Sequence, residues 1–183
     1  MGRIADRLAE LGVSLPAPVT APPGVELPFR FVRVSGAHAY ISGHVAMDGS
    51  EVLFEGKVGA DVTLEEAQEA ARATALSMLA SLERELGDLD RVARWVKALG
   101  LVNCAPGFNE TPAVVNGFTN LIVDVWGPDA GGHARSAIGV AELPFDAPVE
   151  IEAIAEVGYP RSDDVPALFE LGAHRAGGER PGG

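Results

Sequence analysis

The sequence predicts an α+β fold of two layers, with one mostly antiparallel sheet and two helices on a single face. Three observations carry this. Residues 64–86 and 111–126 each read as a helix with one apolar face. The remaining segments alternate as short strands, in the order strand, strand, short strand, helix, strand, helix, strand, strand. With 183 residues, 47% of them hydrophobic and 22% charged, the chain has enough apolar matter for about one domain with a real core. Helices that are apolar on one side only are accommodated by one side of one sheet.

Ile4, Leu8 and Leu11 fall at helical spacing in residues 3–11, and Gly12 stops the helix. Ser14 to Pro28 holds five prolines and few charges, which predicts an extended surface linker. Phe29 to Val34 and His38 to Gly43 flank Ser35-Gly36-Ala37 and read as a hairpin. A turn at Asp48-Gly49-Ser50 precedes a short strand at residues 51–54. Thr63 and Glu66 form a capping-box pattern. Behind it Leu64, Ala67, Ala71, Ala75, Met78 and Leu82 make one stripe, and Gly87-Asp88 ends the helix. Residues 90–102 form a long strand with apolar residues on both faces, so both faces should be covered. After a loop at 103–107 comes the second helix, 111–126, weakened by Gly117 and β-branched residues. Residues 127–132 (GPDAGG) are expected to be a flexible connection. Residues 134–142 and 149–157 are two strands, read as a hairpin turning near Phe145. The division is thus 1–28 helix and linker, 29–159 the main domain, and 160–183 a tail expected to be partly disordered.

Lys plus Arg number 14 against 26 Asp plus Glu, a formal net charge of −12, which repels a polyanionic partner and disfavours nucleic-acid binding. The basic residues Arg91, Arg94 and Lys97 are diluted by apolar neighbours. One Cys excludes a disulfide framework within the chain, and four scattered His at no metal-binding spacing argue against a metal site. No run of about 18 apolar residues is present, and Arg3, Asp6, Arg7 and Glu10 break any signal-peptide core, so a cytoplasmic protein with no membrane partner is expected.

Two strands carry candidate chemistry. Alternation places Arg135 on a face with Ala137, Gly139 and Ala141, whose small side chains leave room beside a guanidinium able to fork onto a carboxylate. The alternative is that Arg135 pairs with a Glu of the adjacent strand. Glu150, Glu152, Ile154 and Glu156 share one face, opposite the apolar set 149, 151, 153, 155 and 157 that meets the helices. One of these carboxylates is either a general acid/base or part of a solvated face. In a hairpin, Arg135 lies opposite residue 156, about six residues or ~20 Å from Glu150. A site using both therefore draws them from two subunits. Cys104 reads as an ordinary thiol, His133 as a loop residue and His44 as a possible pocket border. Gly43 suits either a backbone approach to ligand or a bulge, and Asn116-Gly117 suits close packing or a ligand contact.

The stretches Tyr40-Ile41-Ser42-Gly43-His44, Asn116, Ala134-Arg135-Ser136-Ala137 and Val149 to Ala155 resemble the Rid/YjgF family of reactive-intermediate deaminases, also labelled L-PSP endoribonuclease-like. The resemblance spans residues 29–157, and the fifteen-residue spacing of Arg135 and Glu150 matches the family's arginine and glutamate. It implies a chorismate-mutase-like fold and a homotrimer with pockets between subunits. It also implies cofactor-free hydrolysis of small 2-imino or 2-enamino acids to 2-oxo acids and ammonia. In that scheme Arg135 grips the substrate carboxylate, Glu150 positions water, and Gly43, Ala137, Asn116 and Phe29 line the pocket. Phe29 stands where many members carry a tyrosine, and Ala137 where others have a cysteine. A longer branch of the family is indicated, with non-catalytic binding of small carboxylates as the other reading.

Overall fold

The computed structural model describes residues 2–21 and 24–158, so the predicted tail lies outside the described residues. Helix α1 (Arg3–Glu10) buries Ile4 and Leu8. Asp90 caps its first turn, accepting from the Arg3 and Ile4 amides at 2.7 Å each. Strands β1 (Val32–Ser35) and β2 (His38–His44) form the expected hairpin. Strands β3 (Met47–Asp48) and β4 (Glu51–Val52) make a small ladder of their own. Helix α2 (Leu64–Leu86) begins at the Thr63–Glu66 capping box and ends at Gly87 in the left-handed region, φ 77°. A short 3₁₀ turn at Leu89–Arg91 precedes β5 (Val92–Asn103), followed by α3 (Thr111–Gly131), β6 (Ala134–Val140) and β7 (Val149–Val157).

The five-stranded sheet has the order β1-β2-β7-β5-β6. All neighbours are antiparallel except β5 and β6, which are parallel. This corrects the expected β6–β7 hairpin, because β5 lies between them. Helix α3 carries the chain from the end of β5 back toward the end of the sheet where β5 began, so β6 runs parallel to β5, joined by the long crossover that a parallel pair needs. Both long helices cover one face. Ile151, Ala153, Ala155, Trp95 and Ala98 are buried under them. The opposite face carries half-buried Leu99, Leu101 and Ile154 beside exposed Tyr40 and Ile138, and among the described residues no element covers it.

Residues 127–132 are ordered, contrary to expectation. Gly127 breaks the helix at φ 80°, and Pro128 starts a further turn ending at Gly131. Proline suits a first helical position because its missing N–H has no partner there anyway. Gly131 is buried, and a Cβ on it would sit 2.7 Å from the Ile122 carbonyl oxygen. The Gly-Pro-Gly-Gly composition therefore reflects tight folding rather than freedom.

Gly117 marks the crossing of α2 and α3. A Cβ there would collide with the backbone carbonyl of Gln68, whose side chain donates to the Ala113 carbonyl at 2.9 Å. Backbone cannot yield as a flexible side chain does. Gly117→Ala is expected to cost about 1–3 kcal/mol, or roughly 4–10 °C in Tm by thermal denaturation. An unchanged Tm would show that the helices are not in contact at this glycine.

Candidate functional site

The chain builds two separate clusters from the predicted residues. The first lies on the helix-facing side of β6, a sheet edge. Arg135 pairs in register with Ala98, so no acidic residue faces it across the ladder. Its Nη1 donates to Asn116 Oδ1 and Thr119 Oγ1, each at 2.9 Å, and its Nη2 donates to the Pro112 carbonyl at 3.2 Å. These acceptors are neutral, and among the described residues Arg135 has no acidic partner. The ion-pair alternative is thus not what the structure contains. Three of the five N–H donors hold the guanidinium in place, and two remain, enough for a carboxylate. Burial lowers its pKa, which marks a partly desolvated cation.

Thr119 is not singled out by sequence spacing, although Asn116 and Thr119 stand three apart on one helix face. Its hydroxyl lies 3.3 Å from His133 Nε2, while His133 Nδ1 lies 2.7 Å from the Gly131 carbonyl. With Nδ1 protonated, Nε2 accepts from Thr119, which accepts from Arg135. Burial, and next the charge of Arg135, depress the His133 pKa and favour that neutral ring. The turn at 127–132 thereby helps to aim the guanidinium.

The second cluster surrounds Glu150. Between Ile41 and His44 the β2–β7 register slips by one residue, a bulge at Ser42-Gly43. The Glu150 carboxylate lies against Gly43, where an added Cβ would overlap it. Burial, and secondarily the Glu152 charge, raise the Glu150 pKa. Glu150 and Gly43 open onto a cavity of about 350 Å³ together with Phe29, Phe31, His44 and Phe145.

Arg135 and Glu150 do not meet within one chain. Arg135 is level with Ala98 and, through it, with Ala153, so Glu150 lies two strands across and three residues along. That is roughly 14 Å between α-carbons at ordinary strand spacings. The two side chains also point to opposite faces. The intervening β5 shortens the ~20 Å expected from a hairpin but leaves the division intact. Asn116 sits with Arg135, and Ala137 follows two residues along the same face of β6. Phe29 and Gly43 sit with Glu150.

A family model described as "YjgF/chorismate_mutase-like, putative endoribonuclease" matches residues 5–157. The chain belongs to the YjgF family. It is 42% identical over 156 residues to Protein TCP17 of Trypanosoma cruzi, covering 85% of this chain and 95% of that one. The solved structure of Atu1372 from Agrobacterium tumefaciens, of unknown function, is 40% identical with a TM-score of 0.75, covering 85% of this chain and 92% of that one. A "putative endoribonuclease" from Shewanella oneidensis MR-1 is 26% identical with a TM-score of 0.76, covering 84% and 99%. Among the described residues of this YjgF-family chain, no helix is long and apolar enough to cross a membrane.

The other sequence candidates of this YjgF chain fall into place around the two clusters. Gly117 packs against α2 while its neighbour Asn116 faces Arg135, so the pair divides between packing and site. Cys104 is half-buried. His44 borders the cavity, but Ser42 O at 2.7 Å and Ser81 Oγ at 2.9 Å occupy its two nitrogens. Burial lowers its pKa from 6.5 to about 4. The unfolded chain therefore binds a proton between pH 6.5 and about 4 that the folded chain does not. Stability is full above pH 6.5 and falls as pH drops through this window, by about 3 kcal/mol in all. Urea denaturation at several pH values is expected to show this slope in the wild type and a flatter one in His44→Gln. Equal slopes would contradict a buried neutral imidazole.

Two wall elements escape sequence reading. The Pro-rich stretch, expected to lie on the surface, packs inward in part: Val19 is buried and lines the cavity. Phe145 and Asp146 both adopt left-handed backbone, φ 59° and 51°, at roughly 1–3 kcal/mol each. Composition carries no mark of either.

Proposed function

We propose that the chain hydrolyses small 2-imino and 2-enamino acids to 2-oxo acids and ammonia, in pockets that join the Arg135 cluster of one subunit to the Glu150 cavity of the next. The division of the two clusters between opposite faces of one sheet carries this reading, since each lacks what the other holds. The uncovered apolar sheet face, with Tyr40, Leu99, Leu101 and Ile138, supports assembly, and a homotrimer is the closed ring the family resemblance implies.

Arg135 holds the substrate carboxylate through its two spare N–H groups. The Glu150 carboxylate accepts a proton from water as the water oxygen bonds to C2, and the C=N electron pair moves to nitrogen. That proton then passes to nitrogen, giving a carbinolamine. Glu150 next takes the C2 hydroxyl proton and delivers it to nitrogen, the oxygen lone pair forms the carbonyl as the C–N bond breaks, and ammonia leaves the 2-oxo acid. The chemistry requires no redox change. The test generates 2-iminopropanoate with an amino-acid oxidase and follows its loss. Faster loss with wild-type protein is expected. An unchanged rate would defeat the proposal.

Phe29 favours a second reading, non-catalytic binding of small carboxylates, because the cavity rim lacks the hydroxyl many family members have there. In that case 2-oxobutanoate or benzoate raises Tm without turnover of any imine. Ribonuclease activity, suggested by the names of relatives, is disfavoured by the net charge of −12 and by Glu150, Glu152 and Glu156 on one face.

A further inference from the structure

The cavity beside Glu150 is larger and more apolar than a three-carbon acid requires. At about 350 Å³ it lies within the usual ligand-pocket range of ~300–1,000 Å³. Val19, Leu27, Phe29, Phe31, Met47 and Phe145 supply most of its wall, and among the described residues no Lys or Arg lines it. Glu150 is its one ionisable side chain without an internal hydrogen-bond partner among the described residues, since both nitrogens of His44 are bonded.

The wall is a built feature. Arg84 Nη1 donates to the Val19 carbonyl at 2.8 Å, and the Arg84 guanidinium carbon lies 5.9 Å from the Phe31 ring centre. The Ala17 amide donates to Asp48 Oδ1 at 2.7 Å and the Thr20 amide to the Gly49 carbonyl at 3.2 Å, which hold the Pro-rich stretch against the cavity. On the other side, Phe145 is 61% exposed and held at a positive φ. Asp146 anchors that turn: its Oδ1 accepts from Asn103 Nδ2 at 3.0 Å and its carbonyl from the Gly56 amide at 2.8 Å. An exposed aromatic ring held at a pocket mouth by strained backbone points to contact with a ligand.

We propose that this cavity receives the substrate's side chain, and that the substrate class is 2-imino acids with a bulky apolar side chain, branched aliphatic or aromatic. The inference rests on the deaminase reading. The carboxylate goes to the neighbouring Arg135, the reacting carbon lies beside Glu150, and the side chain extends between Leu27 and Phe145. A second carboxylate there would meet Glu150 and, among the described residues, no cation.

The test compares imines made by an amino-acid oxidase from leucine, phenylalanine, alanine and glutamate, using the full chain. The leucine- and phenylalanine-derived imines are expected to show at least tenfold higher kcat/KM than the alanine-derived one, with the glutamate-derived imine slowest. Leu27→Ser and Phe145→Ala are expected to reduce the bulky-to-small ratio at least fivefold. Both replace side chains outside the sealed core, so folding should survive. Equal or better use of the alanine-derived imine would overturn the proposal while leaving the deaminase reading standing. If no imine is hydrolysed, the deaminase reading fails, and thermal shift decides the cavity's preference. Greater stabilisation by 4-methyl-2-oxopentanoate or phenylpyruvate than by pyruvate supports it; equal, weaker or absent stabilisation overturns it.

Discussion

Arg135→Ala is expected to lower kcat/KM for imine hydrolysis by about 10²-fold or more, mostly through KM. In the proposed mechanism the guanidinium holds the substrate carboxylate before and during the reaction, so its loss should weaken ground state and transition state alike. Arg135→Lys should recover little. An ammonium has three donors and no planar fork, and it cannot hold Asn116, Thr119 and a carboxylate with the same geometry. Folding should persist in both variants, because Arg135 sits half-buried on an edge strand and bonds only to neutral acceptors. Steady-state kinetics beside a thermal melt checks this. Full activity in Arg135→Ala would remove the cation from the site.

Glu150→Gln is expected to act on kcat instead, lowering it 10²–10⁴-fold as a lost general base does, with KM little changed. In the proposed mechanism the ionised carboxylate is the working form. Its pKa is raised by burial and by Glu152, so wild-type activity should decline with falling pH sooner than an ordinary carboxylate would dictate. The glutamine variant should lack that acid limb. Stability should move the other way. A carboxyl whose folded pKa is raised favours folding below its unfolded pKa and loses that contribution as pH rises through the folded value. At neutral pH the ionised, half-buried Glu150 therefore destabilises the fold, and its replacement by glutamine should raise Tm. Lower kcat with higher Tm is the signature of a functional group kept at a structural cost. A fall in both would mark Glu150 as structural.

Much of this was legible in residue order, for physical reasons that differ by element. Helix α2 declared itself because its capping box, stripe and terminal glycine are all local interactions. The alternation in β7 assigned Glu150 and Ile151 to opposite faces because strand periodicity is also local. Strand partners are not encoded that way. The six residues between the predicted strands 134–142 and 149–157 have about the length of a hairpin loop, and nothing nearby states that β5 intervenes. The glycines of residues 127–132 suggested freedom because composition does not reveal what an α-carbon rests against. Arg135 and Glu150 were readable as residues. Their separation became concrete only in the sheet register, and the apolar wall from Val19, Leu27 and Phe145 required the folded chain.

The central claim is that arginine and glutamate meet only across a subunit boundary. Arg135→Ala and Glu150→Gln chains, each nearly inactive alone, can be unfolded together in equal amounts and reassembled. In a ring of heterologous interfaces one site in four receives an intact arginine from one chain and an intact glutamate from its neighbour. Reassembly should therefore restore roughly a quarter of wild-type activity. Mixed oligomers no more active than the two parents would place both residues' work within one chain and contradict the account.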